Sequence, residues 1–177
     1  TLLEKAMQAG ARRIELCDNL AVGGTTPSYG VTKAAVELAA NYDSTIMTMI
    51  RPRGGDFVYH DLEIAIMLED IRLTAQAGSQ GVVFGALTAD RKLDKANLEK
   101  LIAASKGMEI VFHMAFDELS DEDQLEAIDW LSQAGVTRIL TRAGVSGDSL
   151  EKRFAHYHRI LEHAASKIEI LPGGGID

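Results

Sequence analysis

The sequence predicts one α/β domain of the (β/α)₈ barrel type over residues 1–177. Three observations predict this fold class. A sequence pattern recurs three times, in QAGARRIEL, AQAGSQGVVF and SQAGVTRIL. In each case the end of a predicted helix is followed by a glycine and then by a short strand rich in β-branched residues. Strand-like runs alternate with helical patterns, which is typical of a parallel sheet. Successive strand starts lie about 30 residues apart, the length of one βα unit.

The predicted elements follow from these patterns in chain order. Strand-like runs begin near Arg13, Thr45, Gly81, Glu109, Arg138 and Lys167. Helical patterns cover residues 2–9, 32–41, 61–77, 94–105, 120–134 and 149–164. Asp61, Asp94 and Ser120 are the predicted N-caps, because their side-chain oxygens accept hydrogen bonds from the first free backbone N–H groups of a helix.

The strand count predicts how the barrel is completed. The helical pattern 2–9 implies a strand before it, and the glycine loop 172–177 implies a helix after it. Adding a first strand and a last βα unit gives eight strands, so we expect a barrel that lacks these two pieces in this chain. An open, doubly wound sheet of six strands is the alternative. The even spacing favours the barrel.

Composition argues against several classes of protein. The chain has 18 Lys and Arg against 26 Asp and Glu, a net charge of −8, so we expect no nucleic-acid partner. No apolar run approaches the ~18 residues of a membrane span, so we expect no membrane partner. A single cysteine excludes an internal disulfide and suits a reducing compartment. Dinucleotide-binding and P-loop motifs do not occur, and no predicted strand ends in the lysine that Schiff-base chemistry needs.

Alternation along the predicted strands selects candidate site residues. Side chains of a barrel strand point alternately to the helix layer and to the interior, and the isoleucines and leucines must face the helices. In three strands the inward positions near the carboxyl end are then occupied by Glu15, Cys17, Arg51 and His113. Barrel active sites lie at this end of the strands, so we expect these side chains to share one mouth. For the third predicted strand, residues 81–85, the alternation does not show which side chains face the interior.

Five segments resemble a known family: RIELCDNLAVGGTTPS, MIRPRGGDFVYHD, FHMAFD, RILT and PGGGI. They run in order from Gly10 to Ile176 and resemble the CutC family, historically called copper-homeostasis proteins. The resemblance implies a (β/α)₈ barrel, a role in copper tolerance or copper binding, a cytoplasmic location and a homo-oligomer. The family pattern carries over at Glu15, Cys17, Arg51, Arg53, Asp56, His113 and Asp117.

Cys17 is the candidate ligand for copper as Cu(I). Cu(I) is a soft ion that prefers thiolate and thioether sulfur. Met47 and Met49 lie on the inward face of the neighbouring strand, and His113 would complete a site. The alternative is ordinary packing, because Cys and Met are among the residues most often buried in protein cores.

Glu15, Arg51 and His113 form an alternative, catalytic set, to which the resemblance adds Asp117. A carboxylate and an imidazole in one cleft exchange protons while an arginine holds an anion. This catalytic hypothesis predicts lyase- or isomerase-like chemistry on a small phosphorylated or carboxylated metabolite. A buried Glu15–Arg51 ion pair beside a hydrogen-bonded histidine is the structural alternative. The sequence leaves open whether the protein is an enzyme.

Two glycine-rich loops are candidate anion-binding sites. Glycines allow backbone N–H groups to surround an anionic oxygen, and barrels often bind phosphate in the loops after strands seven and eight. Tight turns that need a positive φ are the alternative. The candidate anion-binding residues are Arg53, Gly54, Gly55, Gly173, Gly174 and Gly175.

Overall fold

Six parallel strands form one sheet in the computed structural model, which describes residues 2–144 and 148–174. The strands are β1 (Arg13–Leu16), β2 (Thr45–Met49), β3 (Gly81–Phe84), β4 (Glu109–Phe112), β5 (Arg138–Thr141) and β6 (Glu169–Pro172). Each strand pairs with the next one along the chain. A doubly wound sheet reverses its strand order in the middle. The unbroken order therefore argues against the doubly wound alternative.

Helices follow the strands and cover the outer face of the sheet. They are α1 (Leu2–Gln8), α2 (Tyr29–Ala39), α3 (Asp61–Gln76), α4 (Lys95–Ala104), α5 (Asp121–Gln133) and α6 (Leu150–Ala164). Short 3₁₀ turns occur at Leu20–Val22 and Met114–Glu118. Within the described ranges, none of the helices has the length and apolarity needed to cross a membrane.

The sheet curls around an apolar interior. Met47, Met49, Val83 and Val111 form a buried cluster on its concave face. Cys17, the residue after β1, and Leu171 of β6 pack against this same cluster, although β1 and β6 are the first and the last strands of the sheet. A flat sheet would separate them by about 24 Å, at roughly 4.8 Å per strand. The sheet is therefore a curled half-barrel.

Alternation along the strands separates two apolar layers, as the sequence predicts. Ile110 and Phe112 of β4 pack with the helices, whereas Val111 between them joins the interior cluster. The structure also settles the phase of β3, which the sequence left ambiguous. Val83 faces the interior, and Val82 and Phe84 face the helices.

The predicted boundaries hold for most elements. Five strands begin at the residues that the sequence predicts. The sixth begins at Glu169 rather than near Lys167, because the Lys167 backbone N–H still bonds to the carbonyl of Ala164 in the turn that ends α6. Helix α2 begins three residues before the predicted start at Thr32, because Ser28 caps it.

The N-cap of α3 is His60, so the prediction of Asp61 was wrong. The His60 Nδ1 accepts a hydrogen bond from the Glu63 backbone N–H, and the Glu63 carboxylate accepts one from the His60 backbone N–H. This reciprocal pair satisfies two donors, so Asp61 falls in the first turn of the helix. The predicted caps Asp94 and Ser120 are confirmed.

Charged side chains close the interior at the amino ends of the strands. Arg138, at the start of β5, donates to the carboxylates of Glu109 on β4 and Glu169 on β6. The Arg13 Nη2 of β1 lies 3.9 Å from the Glu109 Oε2. The Arg138 side chain is only 11% exposed, whereas its two partners are about half exposed. This cluster links three adjacent strands and reaches the first one.

We expect Arg138→Ala to lower the free energy of unfolding by about 1–2 kcal/mol, because it leaves two half-exposed carboxylates without their shared cation. Urea denaturation measures the change. The matched control is Arg72→Ala, which breaks an exposed pair with Glu69 on α3 and should alter stability much less. Equal losses in the two variants would contradict a special role for the cluster.

Candidate functional site

Arg51 lies just after β2 and is 5% exposed. Its Nη1 donates to the carbonyls of Val22, at 2.9 Å, and Gly24, at 3.1 Å, and its Nη2 donates to the carbonyl of Gly55 at 2.7 Å. Its Nε–H is buried and makes no hydrogen bond of normal geometry, and the buried Tyr59 hydroxyl lies close enough to interact with the same guanidinium. No carboxylate in the described part of the chain forms an ion pair with it, so backbone carbonyls, the Phe57 ring and the Tyr59 hydroxyl surround its positive charge.

His113 lies at the carboxyl end of β4 and leans over β3. A Cβ atom built on Gly85 would lie 2.7 Å from the His113 Cε1, so a larger residue there would displace the ring. The His113 Nδ1 accepts a hydrogen bond from the Ala115 backbone N–H at 3.2 Å. Burial, aided by the Arg51 charge, lowers the pKa of His113 to about 3. The imidazole is therefore neutral at physiological pH, and its Nε2 is buried without a partner.

The ring of Phe57 contacts both of these side chains. Its centroid is 4.8 Å from the Arg51 Cζ and 4.7 Å from the centroid of the His113 ring. The Phe57 carbonyl accepts a hydrogen bond from the Leu87 N–H, which ties the backbone to the loop after β3. Sequence reasoning did not select Phe57. The signal it offered was an aromatic residue directly after the RPRGGD loop.

Cys17 and Glu15 meet on the concave face of β1. The Cys17 Sγ donates to the Glu15 Oε1 at 3.6 Å. Burial, together with the Glu15 charge, raises the pKa of the thiol to about 12, and the Arg51 charge opposes this rise. Desolvation by neighbouring atoms raises the pKa of the Glu15 carboxyl, and the hydrogen bond from Cys17 opposes this rise, while part of the side chain stays exposed at the edge of the sheet. Glu15 and Arg51 form no ion pair, so that structural alternative is wrong.

Two sulfur-containing side chains converge beneath the loop after β1. A Cβ atom built on Gly24 would lie 3.2 Å from the Cys17 Sγ and 3.7 Å from the Met49 Cε. Gly24 itself is buried and has a φ of +90°, a backbone conformation that favours glycine. Over the described residues there is no cluster of three or more His, Cys, Asp or Glu side chains that would hold a metal ion.

Arg53 is fully engaged by its own loop. Its Nε donates to the Glu63 carboxylate at 2.5 Å, and its Nη1 donates to the carbonyls of Gly54 and Asp56. Its Nη2 donates to the Asp56 carboxylate and to the Val58 carbonyl. These contacts use all five N–H donors and fasten the loop to the first turn of α3. An anion contact by Arg53 would have to displace one of them.

Gly54 and Gly55 let neighbouring groups of the protein approach the backbone of this loop closely. A Cβ atom on Gly54 would lie 2.7 Å from the Cβ of Val22, so this glycine lets the loops after β1 and β2 touch. Gly55 has a φ of +87° and turns its carbonyl toward Arg51. The anion-binding role of both glycines stays a prediction.

In the second glycine loop, the described residues Gly173 and Gly174 also make hydrogen bonds within the protein. The Gly173 N–H donates to the Thr141 carbonyl as an extension of the β5–β6 ladder. The Gly174 carbonyl accepts a hydrogen bond from the Arg153 Nη2. Gly175, the third predicted anion-binding residue of this loop, lies outside the described residues.

Asp117 secures the turn after β4 to the end of β5. Its carboxylate accepts hydrogen bonds from the Thr141 hydroxyl and from the Arg142 backbone N–H. Burial raises the pKa of this carboxyl above its usual range. The structure thus gives Asp117 partners on β5, and its predicted catalytic role stays a prediction.

Comparisons with known proteins agree with the fold. The CutC family model matches residues 1–177. The chain belongs to the CutC family. It is 51% identical over 176 residues to a CutC protein of Enterococcus faecalis, covering 99% of this chain and 84% of that one. It is 42% identical over 171 residues to the human copper homeostasis protein cutC homolog, covering 97% of this chain and 60% of the relative.

Solved structures extend the comparison. The crystal structure of CutC from Streptococcus agalactiae superposes with a TM-score of 0.91 at 45% identity, over 96% of this chain and 80% of that chain. An aldolase, QR15, superposes with a TM-score of 0.69 at 16% identity, over 99% of this chain and 72% of that one. The second likeness shows the fold alone.

We expect His113 to make stability depend on pH. Its pKa is about 3 in the folded protein against an ordinary 6.5, so the unfolded chain binds the proton more tightly. Its contribution to the free energy of unfolding is complete above pH 6.5 and falls as pH drops toward 3, by at most about 1.4 kcal/mol per pH unit.

The comparison protein for this test is His113→Asn, whose Oδ1 retains an acceptor for the Ala115 N–H. Denaturation at pH 7, 5.5 and 4 should show a steeper loss of stability in the wild type than in this variant. His158→Asn, at an exposed position on α6, should behave as the wild type. Parallel curves for the wild type and His113→Asn would contradict a buried, neutral His113.

Proposed function

We propose that this protein takes part in copper homeostasis by binding Cu(I) at the carboxyl ends of its strands, through Cys17 and Met49. One observation carries the proposal: the Cys17 Sγ and the Met49 Cε both lie within 4 Å of the position that a Cβ on Gly24 would take, and Cys17 packs against the buried cluster that contains Met49. A thiolate and a thioether are the ligands that Cu(I) prefers. The names of the human and Streptococcus agalactiae relatives, which refer to copper homeostasis, support the same cargo.

Binding through Cys17 requires the thiol to lose its proton. A metal ion drives this loss because the thiolate is the form that coordinates. The Glu15 carboxylate, 3.6 Å from the Cys17 Sγ, is the nearest acceptor for that proton. The Arg51 charge favours the resulting thiolate. Glu15 and Arg51 would thus assist the metal site without ligating copper.

We also propose that the half-barrel is part of an eight-stranded barrel. Among the described residues, β1 and β6 are the outer strands of the sheet. An additional strand before β1 and a βα unit after β6 would remove these open edges, which otherwise favour aggregation. A crystal structure of the full-length gene product should show two further strands between β1 and β6. Any other strand count would contradict the proposal.

The copper proposal predicts a specific pattern of affinity loss. In anaerobic competition with a Cu(I) chelator, Cys17→Ser should weaken binding by more than about 100-fold, since loss of a supporting contact alone costs 10–100-fold. Met49→Leu should weaken it less, because the thiolate remains. The control is Met67→Leu, at a fully buried methionine in the helix layer, and it should bind as the wild type does. Unchanged affinity in Cys17→Ser would overturn the proposal.

A second candidate is a barrel enzyme with acid–base chemistry on a small anionic metabolite. The observation that favours it is the buried Arg51 charge, which has no carboxylate partner among the described residues and lies near a neutral imidazole. A buried cation without a counter-charge is costly, and an anionic ligand would relieve that cost. Glu15, whose carboxyl pKa is raised, would move the proton.

Thermal unfolding in the presence of ligands tests this second candidate. Small carboxylates and sugar phosphates are the probes, and a ligand at 100 times its Kd should stabilise the fold by ~2.7 kcal/mol. Glu15→Gln should preserve this stabilisation and abolish turnover, because it removes the proton carrier and not the cation. A screen in which no anion raises the Tm would contradict the candidate. The cytoplasmic location and the homo-oligomer that the family resemblance implies stay predictions.

A further inference from the structure

Two buried N–H donors at the mouth have no acceptor. One is the Nε–H of Arg51 and the other belongs to His113, at its Nε2. The parent residues are 5% and 4% exposed, so bulk water does not reach these groups. A buried donor without an acceptor costs about 1–3 kcal/mol. Two of them, side by side with one aromatic ring, indicate a site that a ligand completes.

The hydrogen bonds around each group define what it offers. The His113 Nδ1 accepts from the Ala115 N–H, so in the neutral ring the proton is on Nε2, which is a donor. Backbone carbonyls engage both terminal nitrogens of Arg51, which leaves the Nε–H for a ligand. The pair therefore presents one cationic and one neutral donor, and neither accepts a hydrogen bond.

Phe57 contacts both residues that carry the donors. Its ring packs on the guanidinium of Arg51 and on the imidazole of His113. Phe57 also lines a cavity of about 600 Å³, together with Val58, Leu87 and Thr88 among others. The backbone hydrogen bond from Leu87 holds the main chain of Phe57 in place, so rotation of the side chain alone would move the ring.

We infer that the Arg51 Nε–H and the His113 Nε2–H bind one carboxylate group of a small ligand, in the space that the Phe57 ring occupies when no ligand is bound. Two donors match the two oxygens of a carboxylate, whereas a phosphate group brings three strongly accepting oxygens. The cation at one end requires the ligand to be anionic. Gly85 makes the site feasible, because only a glycine lets His113 lean across β3.

This inference deepens the second candidate function and is independent of Cu(I) binding. It names the class of ligand and the two atoms that hold it. The experiment that tests it measures the binding of a carboxylate, not turnover, and follows the Nε2 atom of His113. A protein that binds carboxylate at His113 and performs no reaction would refute the enzyme and leave this site intact.

The test follows the His113 imidazole by ¹⁵N NMR during titration of the full-length protein with sodium acetate. His113→Asn identifies the resonance among those of the five histidines. We expect acetate to shift the Nε2 resonance in a saturable manner. Phe57→Ala should tighten binding by about fivefold, because acetate then no longer has to displace a ring held by a cation–π contact.

Three controls make the result specific. Phe154→Ala, at an exposed phenylalanine on α6, should leave the acetate affinity unchanged. Acetamide, which lacks the charge, should not shift the resonance. Arg51→Gln, where it folds, should weaken acetate binding by more than tenfold, because a charged donor is lost.

Two outcomes would overturn the inference. The first is a His113 resonance that acetate leaves unchanged in both the wild type and Phe57→Ala. The second is acetate binding that Phe57→Ala does not tighten. Inorganic phosphate is titrated in parallel, and tighter binding of phosphate than of acetate at His113 would overturn the assignment to a carboxylate.

Discussion

The mouth of this half-barrel depends on the guanidinium of Arg51. Its two terminal nitrogens join three backbone carbonyls from two loops: those of Val22 and Gly24 after β1, and that of Gly55 after β2. These bonds hold the first loop over Cys17. Because carbonyl dipoles neutralise the charge only in part, the cation still acts on its neighbours: it lowers the pKa of His113 and opposes the rise in the pKa of the Cys17 thiol.

Two glycines decide how closely the functional side chains approach one another. Gly24 leaves room above the Cys17 Sγ and the Met49 Cε, and Gly85 leaves room for the ring of His113. A side chain at either position would occupy the space that a ligand or a neighbouring side chain needs. The proposed sulfur site and the proposed carboxylate site are therefore adjacent and share one cation, Arg51. This proximity is a physical reason why a copper function and a metabolite-binding function need not exclude each other.

The sequence predicted the fold because its regularities are local: βα spacing, glycine after each helix, and isoleucines that face the helices. The same alternation placed Cys17 and His113 on the concave face correctly. Alternation could not assign Val83 to the interior, because its neighbours Val82 and Phe84 are also apolar and either orientation of the strand would bury apolar side chains on both faces. It could not assign partners, so it offered Arg53 to an anion when its own loop engages all five donors. Phe57 was missed because its importance comes from the position of its ring and not from its chemistry.

The central claim is that sulfur atoms at the carboxyl ends of the strands bind Cu(I). X-ray absorption at the copper edge of the Cu(I)-loaded, full-length protein tests it most directly, because it reports the ligand atoms themselves. The account predicts a first shell of sulfur, from Cys17 and Met49, that changes to fewer sulfur scatterers in Cys17→Ser. A first shell dominated by nitrogen or oxygen, or a spectrum identical in the two proteins, would contradict it.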